Sequence, residues 1–131
     1  MIDRLYEKVG GSQTIKKLVE NFYDRVLADP ALAPFFPNTD MDGLRAKQVM
    51  FITMLVGKSR TFIGRDLTTA HAGARAQGLN DQHFDALLGH FEDALRNIDV
   101  PDDYTRELVG LVETTRDAIL GRTTGDGAAR R

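Results

Sequence analysis

Apolar residues recur at helical spacing along the whole chain, and no segment sustains the strict alternation of a half-buried strand, so the pattern predicts an all-α domain. Ile2, Leu5, Tyr6 and Val9 form a short first stripe, which Gly10-Gly11 interrupts. A second helix is predicted from near Ser12, with Ile15, Leu18, Val19, Phe22, Tyr23, Val26 and Leu27 on a wide apolar face. It ends before Ala28-Asp29-Pro30, because proline disfavours helical backbone in the residue preceding it. Residues 31–36 read as a tight turn and Pro37-Asn38-Thr39-Asp40 as a loop, where Asp40 or Thr39 can cap a third helix from about Met41 to Val56. On that helix Leu44, Lys47, Gln48, Phe51 and Leu55 share one stripe, so a cation and an amide stand where burial is expected.

Residues 57–65 are loop-like, and the stretch up to Asn80 has only a short apolar-periodic piece around Leu67 to His71 among Gly64, Gly73 and Gly78, enough for one or two helical turns. A long helix follows Asn80, with Phe84, Leu87, Leu88, Phe91 and Leu95 on one stripe. Val100-Pro101 starts another, with Leu108, Leu111, Val112, Thr115 and Ile119 facing inward. Residues 121–131 contain no large apolar side chain and read as a frayed tail on a single domain of residues 1–120.

At 131 residues the chain fits one domain, with 42% apolar and 27% charged residues. A formal net charge of -2 offers no broad attraction for nucleic acid or anionic lipid. The absence of cysteine removes disulfides, thiolate metal sites and cysteine nucleophiles, so a metal would need histidine or carboxylate. The sequence shows neither a signal-like apolar run nor a stretch long enough to span a bilayer, and a cytoplasmic location is expected.

His71 is unusual among the three histidines, because its glycine-flanked segment is too short to bury it by local helix packing. It is either an exposed loop histidine or a residue buried by a bound group. His83 and His90 lie seven residues apart on one helix, about 10.5 Å by helix rise, too far to share a metal. No carboxylate pair stands out as acid and base, and no glycine-rich loop is placed to cradle phosphate. Tyr23 sits among apolar neighbours and reads first as core. Gln48 changes its weight, because a buried amide and a buried phenol each need a hydrogen-bond partner, either one another or a ligand. Lys47 can snorkel to solvent or reach an anionic group at a pocket rim.

The chain resembles the truncated haemoglobins, group I in particular, from about Leu5 to Ile119. The resemblance is carried by Leu5-Tyr6-Glu7-Lys8-Val9-Gly10-Gly11, Phe22-Tyr23-Asp24-Arg25-Val26-Leu27-Ala28-Asp29 and Phe35-Phe36. It continues through Thr39-Asp40-Met41 with Lys47-Gln48, then Ala70-His71-Ala72-Gly73, Gly78-Leu79-Asn80 and His83-Phe84-Asp85. It implies a two-over-two helical sandwich around one haem b, with His71 as the axial iron ligand. It places Phe36, Met41, Leu44, Phe51, Leu79 and Phe84 at the haem wall, Lys47 at a propionate, and Tyr23 and Gln48 as donors to the bound ligand.

The resemblance further implies O₂, NO and CO as ligands and nitric-oxide dioxygenation, NO and bound O₂ giving nitrate, with an external electron-donating reductase. The runner-up is non-enzymatic oxygen storage, delivery or sensing; a helical interaction module without haem is a third reading. No histidine lies after His90, so covalent haem attachment through a C-terminal histidine is not expected; with Lys47 and Gln48 in the distal helix, a distal histidine ligand is not expected either.

Overall fold

The computed structural model describes residue 7 and residues 10–36, 39–56 and 69–122. The predicted helix over Ile2 to Val9 apart from Glu7, the Pro37-Asn38 part of the loop, the 57–65 loop with Leu67, and the tail beyond Arg122 lie outside the described residues. Helices α1 (Gly11–Leu27), α2 (Met41–Val56), α3 (Ala72–Ala76), α4 (Asp81–Asn97), α5 (Asp102–Glu113) and α6 (Arg116–Ile119) follow in order, with a 3-10 turn at Ala33–Phe35. No strand occurs among the described residues.

Local chemistry sets most of these ends. Gly10 has φ 112°, and a Cβ there would lie 2.1 Å from Thr14 Oγ1, so the break before α1 needs glycine at this point. Asp40 caps α2 as expected, its Oδ1 accepting from the Gly43 N–H at 3.2 Å. Asn80 begins α4 with a reciprocal cap: its side chain accepts from the His83 N–H at 3.2 Å while His83 Nδ1 accepts from the Asn80 N–H at 3.1 Å. His83 is thus a capping residue.

The predicted last helix is divided into α5 and α6. Thr114 and Thr115 each turn a hydroxyl back onto a carbonyl one turn earlier, Thr115 reaching Val112 O at 2.7 Å, and this competes with the helical ladder.

Helix α1 packs against α2 and α4, and α5 packs against α4 and α2. The pair α1–α2 thus lies over the pair α4–α5, the two-over-two arrangement that the resemblance implies. Ile15, Leu18 and Val26 of α1 meet Phe91, Ala94 and Leu95 of α4 and Leu108 of α5 in one continuous core. Apart from Ala94, which adjoins its stripe, these side chains are buried on the stripes predicted for them.

The turn after α1 is tied to α4 by Asp29, whose Oδ2 lies 2.8 Å from His90 Nε2 and whose Oδ1 accepts from the Ala31 N–H. These bonds, His90 first, hold the Asp29 carboxyl below its ordinary value. The ionised form is therefore favoured in the folded state, and its stabilisation is present above the unfolded pKa of about 3.9 and lost as pH falls through the lower folded value. Asp29→Asn is expected to lower the thermal midpoint at pH 7, with the difference from wild type shrinking as pH falls below about 3.9; a difference that stays constant through that range in thermal melts would refute this linkage.

Candidate functional site

Helix α2 is apolar on nearly every side, so two of its stripes differ only in what they face. Ile52 and Val56, in register with Arg45 and Val49, are buried against the protein together with Leu55. Leu44, Gln48 and Phe51 form the adjoining stripe and remain half-buried, as do Met41, Phe36 and Leu79. Of these, Phe36, Met41, Leu44 and Phe51 pack against the edge of the core and, being half-covered, leave an apolar seam that a further apolar body would close.

Tyr23 enters this seam from α1. Its ring is buried and held edge-on by Phe22 at 4.9 Å and by Phe36 at 6.1 Å between centroids. Among the described residues neither the Tyr23 hydroxyl nor the Gln48 amide has a hydrogen-bond partner, so the two do not satisfy one another. Burial raises the phenol pKa far above its ordinary value, and the nearby Arg45 charge only partly opposes this, so the hydroxyl keeps its proton.

Lys47 is exposed, which corrects its expected place on the buried stripe. The cation in the α1–α2 seam is instead Arg45, on the stripe of Ile52 and Val56. Its guanidinium lies 3.5 Å from Asp24 Oδ1 and 4.0 Å from Asp42 Oδ1, and its Nε is buried with no hydrogen-bond partner among the described residues. A long stem able to run along apolar surface explains why the pattern did not distinguish the two cations.

His71 is half-buried at the N-cap of α3, where its carbonyl accepts from the Arg75 N–H at 3.0 Å. Phe84, at 2% exposure, lies fully in the core on α4, with the Arg116 guanidinium 4.6 Å above its ring. Arg116 also binds Asp81, Asp85 and Glu113, a cluster that sequence spacing alone does not reveal because its members come from α4, α5 and α6.

Among the described residues no three His, Asp or Glu side chains converge on a metal position. An open groove of about 340 Å³ lined by Glu92, Arg106, Val109, Gly110 and Glu113 contains none of the candidate residues.

A half-covered apolar seam beside a phenol and an amide without partners among the described residues, on a two-over-two helical sandwich, fits a globin with room for haem. The bacterial-like globin family matches residues 4–121. The group 1 truncated haemoglobin of Tetrahymena pyriformis is 39% identical over 118 residues, 90% of this chain and 95% of that protein. That of Mycolicibacterium paratuberculosis is 36% identical over 108 residues, 82% and 77% of the two chains.

Among solved structures, the 2/2 haemoglobin of Synechococcus sp. PCC 7002, in the cyanomet state with covalently attached haem, superposes with a TM-score of 0.83 at 37% identity, covering 90% of this chain and 98% of that one. The Fe(III) form of the Tetrahymena pyriformis protein gives 0.78 at 37% identity, covering 88% and 97%. This chain belongs to the group 1 truncated haemoglobins, haem proteins that bind diatomic ligands. No helix among the described residues is long and apolar enough to cross a membrane.

Proposed function

We propose that this chain binds O₂ at a non-covalent haem b and uses it to oxidise NO to nitrate, with an external reductase returning the iron to the ferrous state. The observation that carries the reading is the Tyr23 hydroxyl, buried, protonated and without an acceptor among the described residues, on the helix that packs against the one bearing the Gln48 amide. Both are donors available to a ligand, and in a water-poor pocket a preorganised donor costs no reorganisation when negative charge develops on that ligand.

His71 would hold the iron through a neutral imidazole nitrogen, with Phe36, Met41, Leu44, Phe51 and Leu79 enclosing the ring and Lys47 at the solvent rim for a propionate; Phe84, already covered by the core and by Arg116, is not part of that wall. When bound, haem supplies the iron that takes the diatomic ligand and exchanges electrons. The protein holds Tyr23 by two aromatic edges so that its proton stays directed, and excludes water with Leu44 and Phe51. No histidine follows His90 in this chain, which favours the non-covalent attachment.

Stopped-flow mixing of the oxygenated protein with NO tests the activity. Loss of the oxygenated spectrum within the mixing time or shortly after, with one nitrate per haem, is the expected result. Slow decay with little nitrate would overturn the dioxygenase reading and leave oxygen storage, delivery or sensing.

A further inference from the structure

Helix α3, which follows His71, has only five residues, and none of them is buried. Apolar packing of its own side chains therefore contributes little to holding it, and its polar anchorage gains weight. Arg75 provides that anchorage: its Nη1 donates to the carbonyl oxygen of Ile119, the last residue of α6, at 2.9 Å. A helix C-terminus presents unpaired carbonyls and the negative end of the helix dipole, so a guanidinium is well matched to it.

Gly121 is shaped for the same contact. Its φ is +74°, and a Cβ there would lie 2.8 Å from Arg75 Nε, so the chain bends closely around the guanidinium only because it has no side chain. The next residue closes the region onto the core: Arg122 binds Asp81 at the start of α4 at 2.6 Å and Asp117 on α6 at 2.8 Å.

We propose that Arg75 is a positioning residue for the proximal histidine, fixing the α3 segment, and with it His71, to the C-terminal cap formed by Ile119 and Gly121. This rests on His71 being the axial ligand. The carbonyl of His71 accepts from the Arg75 N–H, so the tethered residue lies one helical turn from the imidazole it orients. The C-terminal segment then acts on the proximal side of the haem without touching it, and the strength of the iron–histidine bond depends on a contact 44 residues away in sequence.

The test is the iron–histidine stretching band of the ferrous, ligand-free holoprotein by resonance Raman, together with the rate of haem transfer to excess apomyoglobin. Arg75→Gln is expected to shift or broaden the band and to speed haem loss about tenfold, the size set by one charge-assisted hydrogen bond. Gly121→Ala, which displaces the guanidinium without removing it, is expected to act in the same direction. Arg75→Lys retains a cation and is expected to recover part of the wild-type rate. Gly89→Ala, where a Cβ would meet nothing within 4 Å, is the control.

A lowered thermal midpoint with band and transfer rate unchanged in both Arg75→Gln and Gly121→Ala would show a merely structural contact and overturn the proposal. The assignment of the axial ligand is separated by His71→Ala. If that variant keeps the band, the ligand reading fails; if it loses the band while the Arg75 and Gly121 variants leave it unmoved, only the tether fails.

Discussion

His71→Ala is expected to abolish the iron–histidine band and most of the Soret intensity of the reconstituted ferrous protein while leaving the apoprotein folded. His71 is half-buried at the edge of a short helix with no buried residue and is not part of the hydrophobic core, so the apoprotein is expected to keep that core without it. The holoprotein is different, because whatever binds only the folded state stabilises it in proportion to the logarithm of affinity, about 1.4 kcal/mol for each tenfold. Losing the one strong metal bond should bring the holoprotein melt down close to that of the apoprotein. Added imidazole should restore the band, since it supplies the missing ligand without a covalent link. An unchanged spectrum in His71→Ala would remove this residue from the iron.

The helices were legible because their signals are local. The Asp40 and Asn80 caps, the Gly10 break and the proline after Asp29 each act within one turn, and both ends of α1 and the starts of α2 and α4 fall within a residue or two of where these residues predict. The break between α5 and α6 was not read, because threonines in an apolar-periodic run look like tolerable helix residues until their hydroxyls bind the preceding carbonyls. Within the site, Tyr23 and Gln48 were legible as polar groups on apolar stripes.

The cations were not. Lys47 and Arg45, two residues apart, lie on opposite sides of a helix whose apolar residues are spread round its circumference, and only the packing of α1 decides which side is inside. Arg75 and Arg116 owe their importance to partners 44 and 35 residues away, and no periodicity carries that information. What the pattern transmits well is which residues turn inward; which charges meet across helices emerges only from the tertiary arrangement.

Tyr23→Phe is expected to raise the O₂ dissociation rate about tenfold to a hundredfold, the range for removing one hydrogen bond to a partially charged acceptor in a dry pocket. The same change should leave folding stability essentially untouched. The hydroxyl has no acceptor among the described residues, so its loss strands no buried partner, and the ring keeps its edge contacts with Phe22 and Phe36. A tyrosine retained only for packing would show the opposite signature, a shifted melt with an unchanged off-rate, and flash photolysis with thermal melts on the same samples separates the two.

Because burial holds the phenol protonated well above its ordinary range, its contribution to the off-rate should be flat from pH 6 to pH 10. A step in the wild-type off-rate that disappears in Tyr23→Phe would contradict this. Gln48→Leu completes a double-mutant cycle: if both donors serve one ligand, the paired effect departs from the sum of the single effects, whereas independent roles give additivity within about 0.5 kcal/mol.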